Sequence, residues 1–149
     1  MTELEWNDNL ALGIPELDRQ HRHLAKLIAR IATAAGAGPE TEGPDPAIPA
    51  LLEKLYRETR AHFKQEEAMM AATEYHGAAE HRREHTMLLA ELKSWTHQVR
   101  EGDAAVRARE LAALKHWLVA HIAGPDRTFA RAYLGQPGYA HPARQYAAG

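Results

Sequence analysis

The chain has 149 residues, a formal net charge of −2 and no cysteine. The length suits one domain with a single hydrophobic core, and the near-neutral charge gives no electrostatic basis for binding nucleic acid or an anionic membrane. The absence of cysteine excludes disulfides, iron–sulfur clusters and zinc sites built on thiolates, and it fits a reducing cytoplasm.

The first 17 residues predict an extended arm rather than a helix, because they show no sustained hydrophobic period and contain Gly13 and Pro15. The acidic, mixed N-terminus does not resemble a signal peptide. No apolar run approaches the roughly 18 residues that a membrane span needs. We therefore expect a cytoplasmic protein without membrane insertion. Four apolar side chains of the arm are expected to cover the surface of the domain: Trp6, Leu10, Leu12 and Leu17.

Four stripes of apolar residues at helical spacing follow the arm, in a chain whose abundant Leu and Ala favour helix over sheet. The first predicted helix begins at Asp18, as a cap or first-turn acid, and ends near Gly36. A loop rich in Gly and Pro covers residues 36–47. Asp45 then predicts a helix cap, with Pro46 at the first helical position.

The second stripe runs from Ile48 to Met70 and is followed by a break at residues 73–77 that is long enough to reverse the chain. The third stripe runs from His81 to Val99. The sequence then offers a C-cap and the next N-cap, Gly102 and Asp103.

The fourth stripe runs from Leu111 to His121 and is interrupted by a Gly-Pro pair at 124–125. A short helix over Arg127 to Leu134 is expected next. We predict an all-α fold, an up-down-up-down four-helix bundle with an extended N-terminal arm and a short C-terminal helix. The expected domain spans residues 1–134, and residues 135–149 form an irregular tail.

Five histidines occupy core positions of the stripes and fall at the same end of the predicted bundle, because the chain direction alternates. They are His21, His62, His81, His85 and His121. A buried imidazole needs a hydrogen-bond partner or a metal. A single one is more often a hydrogen-bonded core histidine, but five that converge with two acids favour a metal centre.

The two acids are Glu66 and Asp126. Glu66 is four residues after His62 and shares its helix face. Asp126 is five residues after His121, a spacing that turns it away in a regular α-helix. A π-bulge or local break would restore the alignment, and Pro125 would in any case clash with the carbonyl of His121 in a continuous helix. The alternative is that Asp126 only caps the last short helix.

Together these residues spell D-x-Q-H, H-F-x-x-E-E, H-x-x-x-H and W-x-x-x-H-x-x-x-x-D, starting at Asp18, His62, His81 and Trp117. This combination resembles the hemerythrin family in its single-domain bacterial form, over roughly residues 4–134. The resemblance implies a non-haem di-iron centre that binds O2 reversibly, in an oxygen carrier rather than an enzyme, for storage, transport or delivery. It implies one iron bound by His81, His85 and His121, another bound by His21 and His62, and bridges from Glu66, Asp126 and an oxo or hydroxo group.

A count of coordination positions supports the same function. Two octahedral metals offer about twelve positions. Five imidazoles, two bridging carboxylates and one bridging hydroxide take about eleven of them. The open position falls on the iron with two histidines, where O2 would bind. The apolar residues flanking the ligands are expected to form the O2 pocket, although core packing explains them equally well: Leu24, Phe63, Leu118 and Ile122.

Several other residues are not expected to bind metal. Glu67 is five residues from His62 and should point off-axis as a solvated acid. Tyr75 could hydrogen-bond near a ligand, and the adjacent methionines 69 and 70 are expected to fill the core. His23 is two residues from His21 and should face away from the other donors. Three further histidines are expected at the surface: His97, His116 and His141.

Three rival functions stay open. The stretch His81 to His85 fits H-x-x-E-H, a zinc-hydrolase motif in which Glu84 would be the base. That reading leaves the other five predicted ligands unexplained. A di-iron enzyme that reduces peroxide or nitric oxide would use the same ligands, and so would an O2 sensor. We expect a monomer.

Overall fold

The computed structural model describes residues 8–35, 47–101 and 104–136, and the regular structure within these ranges is entirely helical. Its four long helices are α1 (Pro15–Ala35), α2 (Ile48–Ala72), α3 (Ala78–Glu101) and α4 (Ala104–His121). A five-residue π-helical turn, Ile122–Asp126, joins α4 to the short helix α5, Arg127–Leu134. A single 3-10 turn, Asp8–Leu10, precedes α1. The prediction of an all-α fold is confirmed.

The four long helices form a bundle in which α1 packs against α2 and α4, and α3 packs against α2 and α4. Apolar side chains at helical spacing fill the space between them, and each buried Leu or Ile contributes about 1.5–3 kcal/mol by leaving water. The fully buried ones include Ile28, Ile31, Leu55, Leu92 and Leu114. Among the described helices, none is both long enough and apolar enough to cross a bilayer.

Helix α1 begins at Pro15, three residues before the predicted start. Proline suits the first helical position because the N–H it lacks would have no partner there. Asp18 is a buried first-turn acid whose carboxylate accepts hydrogen bonds from the backbone N–H of Leu12 (2.7 Å) and Gly13 (3.1 Å). The carboxylate thus closes the turn before the helix. The predicted arm was too long, since Leu17 is a buried residue of α1.

The segment before α1 lies against the bundle, as predicted. Leu12 is buried and Leu10 is half-buried against the core. The Arg127 guanidinium donates a hydrogen bond to the backbone carbonyl of Asn9 (2.6 Å), which ties this segment to the start of α5. Trp6, also predicted to cover the core, lies outside the described residues.

The predicted break after α2 is confirmed. The Thr73 hydroxyl donates to the carbonyl of Met69 (2.9 Å) at the end of the helix. Glu74 then adopts a left-handed conformation with φ of 52°. A Cβ on Gly77 would lie 2.8 Å from the ring of Tyr75, so this position accepts only glycine without a shift of that ring. The chain can therefore reverse within five residues and start α3 at Ala78.

The other predicted boundaries lie within two residues of those in the structure where it describes them. Helix α2 begins at Ile48, two residues after the predicted first position, Pro46. Helix α1 ends at Ala35, next to the predicted end. Helix α2 follows Ala47 and carries Pro49 in its first turn. Several predictions fall on residues outside the described ranges: the loop 36–46 with Asp45 and Pro46, the caps Gly102 and Asp103, and the tail 137–149.

Candidate metal centre

The seven predicted donors converge in the bundle interior, at the end where α1 begins. Each is a buried residue with at most 5% of its surface exposed. They form two overlapping groups, and within each group the donor atoms all lie within 4.8 Å of one another. The five-donor group consists of Glu66, His81, His85, His121 and Asp126, and the four-donor group consists of His21, His62, Glu66 and Asp126.

A π-helical turn brings Asp126 into the centre. The turn spans Ile122–Asp126 and contains Pro125. Its wider winding avoids the clash between the proline ring and the carbonyl of His121 that an α-helix would force. It also places Asp126 Oδ1 at 3.0 Å from His121 Nε2, although the two residues are five apart. The predicted irregularity is confirmed, and Asp126 faces the donor groups rather than only capping α5.

The two oxygens of Glu66 face different histidines. Oε1 lies 2.7 Å from His81 Nε2 and 3.3 Å from His85 Nε2. Oε2 lies 3.5 Å from His62 Nε2. One carboxylate therefore belongs to both donor groups, with one oxygen turned toward each.

The two oxygens of Asp126 also face different histidines. Its Oδ1 lies 3.0 Å from His121 Nε2 and 3.2 Å from His81 Nε2, while its Oδ2 lies 3.1 Å from His21 Nε2. The four-donor group is completed by His21 and His62, whose Nε2 atoms are 3.0 Å apart. Both carboxylates thus stand between two sets of imidazoles.

The donor atoms fit metal ions in spacing and in their lack of other partners. At a metal–nitrogen distance of about 2.1 Å, neighbouring octahedral positions lie about 3.0 Å apart, and the contacts above range from 2.7 to 3.5 Å. Among the described side chains, five inward-facing atoms make no hydrogen bond of good geometry in spite of these short distances: both Glu66 oxygens, His85 Nε2, His121 Nε2 and Asp126 Oδ2. An unsatisfied buried polar atom costs about 1–3 kcal/mol, and a metal ion would satisfy all five.

The two groups hold protons differently in the absence of metal. Burial, reinforced by the neighbouring His21, lowers the pKa of His62 from 6.5 to about 4, so this imidazole is neutral at neutral pH. Burial also acts to lower the pKa of His81, but the hydrogen bond to Asp126 and the close carboxylate of Glu66 outweigh it and raise that pKa to about 10. His62 therefore offers a free electron pair, whereas a metal must displace a proton from His81.

The pKa values of Asp126 and His121 are also shifted, because the two side chains are in contact. Burial acts to raise the pKa of Asp126, but contact with His121 outweighs it and holds that pKa well below 3.8. The Asp126 carboxylate in turn raises the pKa of His121 against the opposing effect of burial. Asp126 is thus a carboxylate at neutral pH, the state that a metal ligand requires.

Two further carboxylates hydrogen-bond the outer edges of the imidazoles. His85 Nδ1–H donates to Glu67 Oε2 (2.8 Å), and His121 Nδ1–H donates to Glu84 Oε1 (3.2 Å). Glu67 points away from the centre, as predicted. The prediction of a solvated acid is wrong, because the Glu67 side chain is only 29% exposed and accepts a hydrogen bond from His85 on α3. Glu84 was considered only as a catalytic base.

His62 has a different outer partner. Its Nδ1–H donates to the amide oxygen of Gln20 (2.5 Å). The amide nitrogen of Gln20 donates to the Gln65 oxygen (2.9 Å), and the amide nitrogen of Gln65 donates to the carboxylate of Glu16. Neither Gln65 nor Glu16 was considered from the sequence, although a metal-bound histidine usually donates its second N–H to a fixed partner.

The four residues predicted to form the O2 pocket are all buried in the hydrophobic core: Leu24, Phe63, Leu118 and Ile122. The Phe63 ring stacks on the ring of His85, with centroids 3.8 Å apart and planes 5° apart. Leu24 and His62 also line a surface groove of about 390 Å³ between α1 and α2. The groove brings solvent to the outer side of the four-donor group.

The residues not expected to bind metal lie outside both donor groups. His23 is exposed and pairs with Glu58 (2.6 Å). Tyr75 packs edge-on against Phe129, with ring centroids 5.1 Å apart, and no hydrogen bond from it to a donor is found among the described contacts. Met70 is buried in the core and Met69 is half-buried. His97 and His116 are exposed, and His141 lies outside the described residues.

Comparison with known proteins agrees with this geometry. The family model of the hemerythrin HHE cation binding domain matches residues 12–133. A bacteriohemerythrin of Stenotrophomonas maltophilia (strain R551-3) is 28% identical over 140 residues, which cover 91% of this chain and 87% of that protein. Myohemerythrin of Riftia pachyptila is 35% identical over 121 residues, which cover 81% of this chain and 86% of that protein. Myohemerythrin of Theromyzon tessulatum is 28% identical over 122 residues, 82% of this chain and 87% of that protein. The residues that match and the converging donors lead to one conclusion: the chain belongs to the hemerythrin family.

Proposed function

We propose that this protein binds O2 reversibly at a non-haem di-iron centre and serves in oxygen storage, transport or delivery. One observation carries the proposal. Glu66 and Asp126 each turn their two oxygens toward different imidazoles, with contacts of 2.7 to 3.5 Å. A carboxylate placed in this way can bridge two metal ions, and two such bridges favour a metal pair over a single ion.

The donor set favours iron held in a histidine-rich environment. The first iron would be bound by His81, His85 and His121, and the second by His21 and His62. Glu66, Asp126 and an oxo or hydroxo group would bridge them. When bound, the iron pair would supply the electrons that reversible O2 binding requires.

The two donor groups would have different roles, because only one of them would leave a coordination position free for O2. The four-donor group offers one protein donor fewer than the five-donor group, so the free coordination position would fall there. His62 is ready to bind metal at neutral pH, because burial and His21 lower its pKa to about 4. Buried apolar side chains would keep water from this position: Leu24, Phe63, Leu118 and Ile122.

No observation favours a zinc hydrolase. Such an enzyme would need the Glu84 carboxylate beside a metal held by His81 and His85. Instead Glu84 is bonded to the outer nitrogen of His121 (3.2 Å), away from the atoms that face the centre. A di-iron enzyme or an O2 sensor would use the same donors and is separated from a carrier by experiment.

The test is an absorption spectrum of the iron-loaded protein under air and then under argon. We expect visible charge-transfer bands that appear with air and bleach reversibly under argon. The variant His62→Ala should lose them, and His23→Ala, which removes an exposed histidine of the neighbouring helix, should keep them. Bands that persist under argon would mean oxidised, non-carrier iron, and steady consumption of peroxide or nitric oxide with an electron donor would mean an enzyme.

A further inference from the structure

The two donor groups differ in the charge of their outer hydrogen-bond partners. In the five-donor group, His85 and His121 each donate Nδ1–H to a carboxylate, that of Glu67 (2.8 Å) and that of Glu84 (3.2 Å). In the four-donor group, His62 donates Nδ1–H to the amide oxygen of Gln20 (2.5 Å). The first two imidazoles therefore have anionic partners and the third has a neutral one.

Hydrogen bonds between two amide side chains fix the orientation of Gln20, the neutral partner of His62. The NH2 group of Gln20 is used in the bond to Gln65 (2.9 Å), so its oxygen is the atom left to accept from His62. Gln65 donates in turn to Glu16. The carboxylate that ends this chain is thus separated from His62 by two neutral amides.

A carboxylate acts on an imidazole more strongly than an amide does. It attracts the Nδ1 proton, holds the ring orientation and increases electron donation from Nε2, the atom that binds metal. Carboxylate acceptors on α2 and α3 therefore increase the electron donation of two of the three imidazoles in the five-donor group, those of His85 and His121. The orientation of each ring is set by a neighbouring helix rather than by its own.

We propose that Glu67 and Glu84 are positioning residues that make the five-donor group the tighter metal site and the one that favours the more oxidised ion, while the neutral partner of His62 leaves the four-donor group weaker. The redox part of this inference rests on the proposed di-iron function. The affinity part requires only that the seven donors hold two metal ions.

The hydrogen bonds can be measured without iron or O2, by NMR of the protein loaded with zinc and labelled with 15N at histidine. Because each of these three Nδ1 protons is held in a hydrogen bond, we expect a separate signal for His85, His121 and His62. The variant Glu67→Gln should move the His85 proton upfield and leave the His121 proton in place. Glu80→Gln removes an exposed carboxylate next to a donor in sequence and should move neither. A His85 proton that does not move in Glu67→Gln, or equal responses to Glu67→Gln and Glu80→Gln, would overturn the proposal.

Metal affinity gives the second test, by stepwise titration of the metal-free protein with cobalt(II). Wild type should bind one ion tightly and a second more weakly. Loss of an outer partner typically weakens metal binding by about 10- to 100-fold, so Glu67→Gln and Glu84→Gln should each weaken the tight step by that factor. Gln20→Glu should strengthen the weak step instead. Both carboxylates are partly exposed, at 29% and 39% of their side chains, so the variants are expected to fold. Unchanged tight binding in both would overturn the proposal.

The third test compares the midpoint potentials of the iron-loaded proteins, with ferricyanide taking one electron from one Fe(II) to give Fe(III). Glu67→Gln should raise the potential of the first oxidation, Gln20→Glu should lower that of the second, and Glu80→Gln should leave both unchanged. If the midpoint potential shifted as much in Glu80→Gln as in Glu67→Gln, the change would come from net charge alone, which would contradict the proposal. Failure of O2 binding alone would contradict the proposed function but leave the zinc and cobalt results as they stand.

Discussion

The variant Leu118→Ala tests whether buried apolar side chains protect the centre from water. Leu118 is 3% exposed and lies three residues before His121, one helical turn from the donors. The substitution removes three carbon groups from the core beside a polar cluster. It leaves a void where a predicted O2-pocket residue stood.

The magnitude follows from burial. Three carbon groups at about 0.8 kcal/mol each give about 2.4 kcal/mol, and the void that remains brings the expected loss of stability to about 2–5 kcal/mol. A void lined only by apolar groups stays dry, but one that borders polar atoms can hold water. Because Leu118 lies one helical turn from His121, we expect the void to reach the donors, water to enter and the oxygenated protein to oxidise irreversibly several-fold faster.

The assay is the decay of the visible absorption of the oxygenated iron protein in air. Leu114→Ala is the matched control, because Leu114 is fully buried on α4 but lies seven residues before His121, two turns from the donors. It should lose similar stability and keep the wild-type decay rate. Equal decay rates in the two variants would refute the role of Leu118 as a water barrier.

Three further predictions concern stability. Asp18→Ala should cost about 3 kcal/mol in urea unfolding without changing metal content, because the N–H groups of Leu12 and Gly13 lose a charged acceptor; an unchanged midpoint would contradict this. In the metal-free protein the raised pKa of His81, about 10, adds stability that is complete below pH 6.5 and is lost as the pH rises toward 10. Zinc displaces this proton, so the melting temperature of the zinc-loaded protein should not show the loss between pH 6.5 and 10. The same fall in melting temperature with and without zinc would contradict this prediction. Gly124→Ala meets no atom within 4 Å of the new Cβ and should stabilise by about 0.4–1 kcal/mol at constant metal content; destabilisation would mean that the turn requires glycine.

The sequence predicted the centre where local rules decide the geometry. Histidines at core positions of four stripes had to meet at one end of an alternating bundle, and Glu66 had to share a face with His62. The π-helical turn followed from a constraint within a few residues, since Pro125 and the five-residue spacing to Asp126 exclude a regular helix. The start of α1 was missed because Asp18 bonds backbone groups five and six residues before it, and a sequence does not distinguish this from a helix cap.

The outer partners were missed for a reason of geometry. Residues next to an inward-facing donor are turned by about 100° and face a neighbouring helix. Gln20, Glu67 and Glu84 each adjoin a donor on their own helix but bond a donor on the next helix along the chain. Which helix lies on which side depends on whether the bundle turns to the left or to the right. Four hydrophobic stripes do not determine that choice, so these partners required the structure.

Under the proposed function, seven side chains would hold two iron ions, with Glu66 and Asp126 between them. The most direct measurement is the anomalous diffraction of crystals of the iron-loaded protein, collected at the iron edge. We predict two iron peaks within the bundle, one beside His81, His85 and His121 and one beside His21 and His62, with a carboxylate oxygen of each acid on each peak. A single peak, or iron bound away from these donors, would contradict the proposed iron pair.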